Sequence, residues 1–150
     1  MLQPMGIGVY LTGLRRLVDF YQTLSRESVS ELGAVYANDA SFRDPFNDVR
    51  GIKNVRDVLE HMFDDLAEIR FVILEASAND NQAFLVWEMT FKLRRWRPEV
   101  ERRIHGASHV RFTAAGKVEY HRDYWDAGEE LYEKLPVVGA LVRWLRKRIG

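Results

Sequence analysis

The chain has 150 residues, 47% of them hydrophobic, which is enough to bury one core and leaves no room for a second domain. Its 22 basic and 22 acidic residues cancel, so no overall field directs it to nucleic acid or to a membrane. It has no cysteine, which excludes disulfides, thiolate nucleophiles and cysteine-based metal sites and suits a reducing cytoplasm. We therefore expect a single cytoplasmic domain over residues 1–150.

The first part of the chain has helical periodicity. Apolar residues at positions 12–24 recur every three or four residues and predict an amphipathic helix whose apolar stripe includes Tyr21. Ser28 and Glu31 form a capping-box pattern, which predicts a second, short helix. That helix is expected to end at the stretch AND, residues 37–39.

A third helix begins at Ile52 and is expected to expose His61 and Asp64. After it the period changes to the alternation of half-buried strands. Turn signals separate four predicted strands, at residues 71–78, 83–95, 100–113 and 117–125. Helices followed by an antiparallel sheet predict the α+β class, with a further helical segment at residues 127–149.

The alternation divides the two central strands into an inner and an outer face. The inner face of the first carries Leu85, Trp87, Met89 and Phe91. In the second, Ser108 lies on the inner face, while His105 and His109 lie on the outer one. These two histidines sit in a strand without a third ligand, so no metal site is expected and a contact between two sheets of a dimer is favoured.

Asp44 is the first candidate for chemistry. It lies between Phe42 and Phe46, directly before Pro45, and a period of two places it on the same side as Phe42. A carboxylate in an apolar setting holds its proton more readily and can carry protons near neutral pH. Capping of a turn before proline is the alternative use of an aspartate here.

The last predicted strand offers a second candidate. His121, Asp123 and Trp125 occupy alternate positions and share one face. A histidine beside a carboxylate is held in one tautomer and can act as a general base. An ordinary hydrogen-bonded pair within the sheet is the alternative.

The stretches YANDASFRDPF and RFTAAGKVEYHRDYW, with the order of the predicted elements, resemble the ketosteroid isomerase branch of the nuclear transport factor 2-like superfamily. The resemblance covers about residues 14–125 and implies a cone, in which a curved antiparallel sheet wraps three N-terminal helices around a pocket. It puts the general base at Asp44 and the oxyanion-binding tyrosine at Tyr21. The second oxyanion donor, an acid in the isomerases, corresponds to Ser108, a weaker donor.

Two further branches are relevant. HRDYWD, residues 121–126, resembles the SnoaL-like polyketide cyclases, in which pocket histidine and aspartate residues act on an enolisable polycyclic substrate. The limonene epoxide hydrolase type uses a carboxylate, an arginine and a second carboxylate to activate water. Arg43 and Arg122 adjoin Asp44 and Asp123, but adjacent strand residues face opposite ways, so this mechanism is disfavoured.

We therefore predict an acid–base enzyme without cofactor or metal, isomerase-like or cyclase-like, for a small hydrophobic carbonyl compound. Asp44, or the pair of His121 and Asp123, would abstract a proton, and Tyr21 with Ser108 would stabilise the enolate oxygen. The apolar walls of the pocket would be Phe46, Trp87, Met89 and Trp125. A dimeric domain that binds a ligand without turning it over is the alternative.

The expected partners are a small hydrophobic molecule and a second copy of the chain, without nucleic acid. The arginine-rich segment 94–103 is interpreted as a solvated hairpin tip. The C-terminal segment is amphipathic, with Leu141, Leu145 and Ile149 on one side and Arg143, Arg146 and Lys147 on another. We expect its apolar side to pack over the mouth of the cone or onto a partner subunit, and contact with an anionic membrane is the alternative.

Overall fold

The computed structural model describes residues 5–130 and 136–149. Its helices are α1 (Met5–Gln22), a 3-10 helix (Glu27–Ala34), α2 (Ile52–Asp65), α3 (Ala127–Glu130) and α4 (Pro136–Ile149). Its strands are β1 (Tyr36–Arg43), β2 (Asp48–Arg50), β3 (Leu66–Asn79), β4 (Gln82–Leu93), β5 (Arg102–Phe112) and β6 (Val118–Tyr124). The four predicted strands and the third helix are confirmed, and so is the α+β class.

The strands form one sheet of six in the order β2-β1-β6-β5-β4-β3. All neighbouring pairs are antiparallel except β1 and β6, which run parallel with Phe42 opposite His121. Register shifts interrupt β3 twice, and irregularities of this kind bend a strand. The sheet is therefore curved and mixed, as in a cone, and it packs against the helices.

The predicted second helix is present as a 3-10 helix that ends at Ala34, but the cap and the end predicted for it were wrong. Ser28 lies inside the 3-10 helix, and its Oγ donates to the carbonyl of Ser25 instead of capping the helix. Residues 37–39 belong to β1 and do not end a helix. Tyr36 pairs with Val118, and residues 41–43 pair with β2 and β6, so pairing on both sides of Asn38 and Asp39 holds this segment extended despite their turn preference.

The core lies between the concave face of the sheet and helices α1 and α2. The predicted inner face of β4 is confirmed, since Leu85, Trp87, Met89 and Phe91 are all buried. The helices contribute buried residues from one stripe each, namely Leu14, Leu17 and Phe20 from α1 and Val55, Leu59 and Phe63 from α2. His61 and Asp64 are exposed, as predicted.

The C-terminal helix α4 lies outside this core. Arg146 forms an ion pair with Asp126 and approaches Glu129 of α3 at 3.9 Å. Leu141, Leu145 and Ile149 are exposed, so the expectation that they pack over the mouth of the cone was wrong for the single chain. Within residues 5–130 and 136–149, no helix is long and apolar enough to cross a membrane.

Candidate functional site

A cavity of about 410 Å³ opens between the concave face of the sheet and helices α1 and α2. Most of its wall is apolar, and its polar lining residues are Tyr21, Asp44, Asn47, Asp65 and Asp123. Apolar walls with a few convergent polar groups are typical of sites for small molecules. The cavity is therefore the candidate functional site.

A chain of hydrogen bonds crosses the inner end of this site. The hydroxyl oxygens of Tyr21 and Tyr36 are 2.7 Å apart. The hydroxyl of Tyr36 lies 2.6 Å from Nδ1 of His121, and Nε2 of His121 lies 2.6 Å from Oδ1 of Asp123. These four residues come from α1, β1 and β6, so only the folded chain brings them together.

Two further residues extend the chain across β5 to β4. Ser108 donates from Oγ to Oδ1 of Asp123 over 2.5 Å, and Nε1 of Trp87 donates to Oγ of Ser108 over 2.8 Å. We call these six residues the network, namely Trp87, Ser108, Asp123, His121, Tyr36 and Tyr21. The network is deeply buried, with Tyr36 fully enclosed and His121 only 4% exposed.

The partners define the direction of the hydrogens when Asp123 is ionised. Trp87 can only donate, so the oxygen of Ser108 accepts from it and the hydroxyl of Ser108 donates to Asp123. Nε2 of His121 then donates to the same carboxylate oxygen, which leaves Nδ1 as an acceptor for Tyr36. Tyr36 in turn accepts from Tyr21. Every hydrogen of the network therefore points toward Asp123.

Both tyrosines of the network are held in the protonated form. Burial raises the pKa of Tyr21, the charges of Asp123 and Asp44 raise it further, and the hydrogen bond with Tyr36 opposes this. Burial also raises the pKa of Tyr36, and its neighbour Tyr21 adds to the effect. The two phenols are therefore hydrogen-bond donors, not bases, across the physiological range.

Asp123 binds the network through one carboxylate oxygen, and its second oxygen takes no part in the network. Oδ1 accepts from His121 and Ser108, whereas Oδ2 accepts no hydrogen bond from any residue that the structure describes. The side chain is 18% exposed and lines the 410 Å³ cavity. A carboxylate that is held by one oxygen and open at the other is suited to accept a proton from a bound molecule.

Asp44 also lines the cavity, but its carboxylate caps the turn that follows β1. Its Oδ1 accepts from the backbone nitrogens of Phe46 and Asn47, both at 2.7 Å. The side-chain amide of Asn47 donates to both carboxylate oxygens, at 3.0 and 3.1 Å. The turn-capping alternative therefore describes Asp44, although the residue remains at the cavity wall.

The structure brings most of the predicted site residues to one place. The cavity collects Tyr21, Asp44, Phe46, Trp87, Met89, Asp123 and Trp125. Phe46 meets Trp125 edge-on, with ring centroids 5.4 Å apart, and is itself 52% exposed. Ser108 and His121 do not line this cavity but a small adjoining space of about 20 Å³.

Tyr36 is the network residue that sequence reasoning missed, because it was assigned to the second helix. Counting back by twos from Phe42 would have placed it on the inner face once the segment was recognised as a strand. Its ring lies nearly parallel to that of His121, with centroids 6.0 Å apart. Asn47, which holds Asp44, was missed as well.

The two arginines next to the candidate carboxylates do not line the 410 Å³ cavity but border a shallower depression of about 550 Å³ on the other side of Asp44 and Asp123. Arg43 is exposed and pairs with Asp48 at 3.8 Å. The guanidinium of Arg122 lies over the ring of Tyr124, 4.6 Å from its centroid. Among the described residues, no arginine lines the cavity beside the two aspartates.

Both the sequence and the fold of this chain are similar to those of known proteins. Residues 17–121 match the family model of the SnoaL-like domain. No match is found among curated proteins.

Solved structures share the fold at low sequence identity. An LEH-like epoxide hydrolase from Mycobacterium tuberculosis is 13% identical, with 82% of this chain and 86% of that chain covered and a TM-score of 0.65. A protein from Catenulispora acidiphila with a ketosteroid isomerase-like fold is 11% identical, with coverages of 87% and 92% and a TM-score of 0.66. A nuclear transport factor 2-like protein of unknown function from Burkholderia pseudomallei is 16% identical, with coverages of 81% and 93% and a TM-score of 0.68. The fold is thus nuclear transport factor 2-like, and the chain belongs to the SnoaL-like domain family.

Proposed function

We propose that the chain is a cofactor-independent acid–base enzyme that moves a proton on a small hydrophobic carbonyl compound bound in the cavity. One observation carries the proposal. Asp123 has one oxygen engaged by the network and the other unoccupied by described residues, and it lines the same apolar cavity as the hydroxyl-bearing Tyr21. This combines a proton acceptor with a hydrogen-bond donor in a site of suitable size.

Asp123 is the general base in this mechanism. Its Oδ2 takes a proton from the carbon next to the substrate carbonyl, the C–H electrons form a C=C bond, and the carbonyl oxygen gains the negative charge. Return of the proton to another carbon completes an isomerisation. His121 and Ser108 are positioning residues, because both bind Oδ1 and neither lines the cavity.

Tyr21 stabilises the enolate oxygen. While Asp123 is ionised and His121 neutral, both tyrosines donate inward and Tyr21 presents lone pairs to the cavity. As negative charge develops on the carbonyl oxygen of the substrate, the hydroxyl of Tyr21 turns outward to donate to it and gives up its hydrogen bond with Tyr36. The proton taken from the substrate stays on Oδ2 of Asp123 until it returns to carbon.

Asp44 is the second candidate base. Three hydrogen bonds hold its Oδ1 in the turn, whereas its Oδ2 accepts only from Asn47. This oxygen is therefore more engaged than Oδ2 of Asp123. The comparison favours Asp123 and assigns Asp44 to shaping the mouth together with Phe46.

The test is exchange of the α-protons of planar hydrophobic ketones for deuterium in D₂O, followed by NMR, because it reports proton abstraction without knowledge of the natural substrate. Wild type should accelerate exchange in at least one ketone. Asp123→Asn should slow it by about 100-fold or more, as loss of a general base does, and Asp44→Asn should have a smaller effect. Asp64→Asn on the exposed face of α2 is the control.

An unchanged rate of deuterium exchange in Asp123→Asn would mean that Asp123 is not the general base. A large loss of exchange only in Asp44→Asn would identify Asp44 as the base. Thermal unfolding with the same ketones and related phenols gives a readout of binding that does not depend on turnover.

A ligand-binding domain without catalysis is the second candidate, and the complete pairing within the network favours it. Each polar side chain buried there has a partner in the chain, as in a purely structural arrangement. This candidate predicts ligands that raise the melting temperature while no ketone exchanges faster than in buffer.

For either candidate we propose a homodimer through the outer face of the sheet. Phe84 and Tyr124 are 48% and 49% exposed there and border a shallow depression of about 600 Å³ with His109. Apolar patches of this kind mark interfaces. Light scattering should give the mass of a dimer for wild type and of a monomer for Phe84→Lys.

A further inference from the structure

Helix α4 is attached to the rest of the chain by its polar side. Gly139 is buried, and on a helical wheel it lies beside Arg146, which pairs with Asp126. The opposite side carries large apolar residues with high exposure, namely Leu141 at 56%, Trp144 at 52%, Leu145 at 41% and Ile149 at 84%. An amphipathic helix on the surface of a globular protein ordinarily packs its apolar side against the core and exposes its polar side. In α4 the apolar side is exposed instead, so it is available to a binding partner outside the described chain.

The charge of α4 indicates which kind of partner its exposed apolar face would bind. The helix carries four basic residues, Arg143, Arg146, Lys147 and Arg148, and no acidic one. The guanidinium of Arg148 lies over the indole of Trp144, 5.2 Å from its ring centroid, at the exposed apolar side. Long basic side chains can lay their aliphatic stems along apolar surface while their charges reach the phosphates of a bilayer, and tryptophan is enriched at the same depth.

We propose that α4 is a membrane-surface helix, which lies in the interface of an anionic lipid bilayer with Leu141, Trp144, Leu145 and Ile149 among the acyl chains. The combination of an apolar face, a bordering tryptophan and an exclusively basic polar face is the pattern of helices that lie in the bilayer interface. Anionic headgroups supply the negative charge, which no residue of α4 carries.

A second copy of α4 fits this face less well. Two such helices packed face to face would bring Lys147 and Arg148 of each helix close together, and α4 contains no acidic residue to offset them. A stable interface also buries about 800 Å² per partner, more than four side chains of one short helix provide.

The attachment point connects α4 with the cavity. Asp126, which holds Arg146, directly follows Trp125, and Trp125 packs against Phe46 at the cavity wall. Docking of α4 would therefore bring this region toward the bilayer, where hydrophobic compounds dissolve. This consequence rests on the proposed function, whereas lipid binding by α4 does not.

Co-sedimentation with vesicles tests the proposal. The full chain should bind vesicles of phosphatidylcholine mixed with phosphatidylglycerol, bind pure phosphatidylcholine more weakly, and dissociate as salt is added. Leu141→Glu should weaken binding at least about fivefold. Val100→Glu, which makes the same change at an exposed valine of the β4–β5 connection, should not.

A charge variant completes the test. Lys147→Glu with Arg148→Glu should weaken binding to the anionic vesicles by about tenfold or more, with little effect on the weak binding to phosphatidylcholine. Absence of binding to anionic vesicles at low salt would overturn the proposal, and so would equal binding of wild type and Leu141→Glu. A dimer without lipid that Leu141→Glu dissociates would assign the face to a second copy and would also overturn it. Because none of these assays uses a ketone, their outcome is independent of the proposed reaction.

Discussion

The network around His121 and the exposed face of α4 depart from the usual distribution of polar and apolar groups in opposite directions. The network encloses polar side chains, with His121 only 4% and Ser108 only 6% exposed. Helix α4 leaves Leu141 and Ile149 at 56% and 84% exposure. The first is a buried polar site, and the second is an exposed apolar one.

The two regions differ in what offsets the energetic cost of burying polar groups or of exposing apolar ones. Hydrogen bonds inside the chain offset the cost of burying the polar groups of the network, so that region contributes to a single folded state. Described residues leave about half or more of Leu141, Trp144 and Ile149 exposed on α4, so we expect these side chains to be covered by something outside the described chain. We expect mutations in the network to change stability strongly and mutations in α4 to change interactions.

The largest expected effect is that of His121→Ala. The substitution removes one of the two donors to Oδ1 of Asp123, so that Ser108 remains, and leaves the buried hydroxyl of Tyr36 without its acceptor. A buried polar group left without its partner costs about 1–3 kcal/mol of the free energy of unfolding, and the cavity left by the imidazole adds to this cost. Urea denaturation measures the sum. His61→Ala, at an exposed position of α2, should stay within about 0.5 kcal/mol of wild type. A loss below about 1 kcal/mol at His121 would mean that the network does not stabilise the fold.

Gly106→Ala tests the other end of the network without removing a polar group. A Cβ at this position would lie 2.5 Å from Cζ2 and Cη2 of Trp87, so the indole would have to move away from Ser108. Overpacking of this kind costs about 1–3 kcal/mol. Gly8→Ala has open space around it in α1 and should instead be neutral or stabilising. Equal melting temperatures for the two variants would contradict the tight packing inferred at Trp87.

Tyr21→Phe should cost about 1 kcal/mol near neutral pH through the lost hydrogen bond with Tyr36. A clearer effect of the substitution is expected on the pH dependence of stability at alkaline pH. Burial raises the pKa of Tyr21 in the folded state above its ordinary 10.0, so the unfolded chain loses that proton first. The contribution of Tyr21 to the stability of the wild type is therefore fully present below pH 10.0 and falls as the pH rises above it.

The variant lacks this ionisation, so its stability should fall less steeply above that pH. Denaturation at a series of alkaline pH values measures the slope. Tyr124→Phe, at an exposed position of the outer sheet face, is the control. Parallel slopes for wild type and Tyr21→Phe would contradict the burial of this hydroxyl.

The smallest expected effect on stability is that of Asp126→Asn at the base of α4. The pair with Arg146 is half exposed, so its loss should change the free energy of global unfolding by about 0.5 kcal/mol or less. Hydrogen exchange of α4 should nevertheless become faster. The amide of Glu129 is the main cause of the lowered pKa of Asp126, and Arg146 adds to it, so the attachment should persist below pH 3.8 and weaken only as the pH falls further.

Asp39→Asn, in the exposed pair with Arg50, is the control for this measurement, because it removes a similar pair far from the helix. Unchanged exchange of α4 in Asp126→Asn would show that other contacts attach the helix.

Sequence reasoning succeeded where a pattern is decided by neighbours along the chain. The alternation in β4 and the periodicity of α2 identified both elements and their buried faces, because these follow from the geometry of a strand and of a helix. It failed at residues 36–39, which local preference assigned to a helix end. There the pairing of Tyr36 with Val118, and of residues 41–43 with β2 and β6, makes the segment a strand, and no local pattern encodes that pairing.

The candidate site divides in the same way. The shared face of His121 and Asp123 follows from their spacing, and the resemblance of the motifs pointed to Asp44 and Tyr21. The roles that the structure supports depend on partners distant in sequence, since Tyr36 reaches His121 across 85 positions. The bonds of Asn47 to Asp44 are local, but its side-chain orientation had no signal in a single sequence.

By itself the amino-acid sequence determined the class of the fold, the inner faces of the central strands and the amphipathic character of α4, because each depends on the order of apolar and polar residues. Only the tertiary structure decided that Tyr36 links Tyr21 to His121, that Asp123 has one oxygen free of described partners, and that α4 turns its apolar side outward. The physical reason is that these features depend on contacts between segments far apart in the chain, and the parallel pairing of β1 with β6 is what brings the network together.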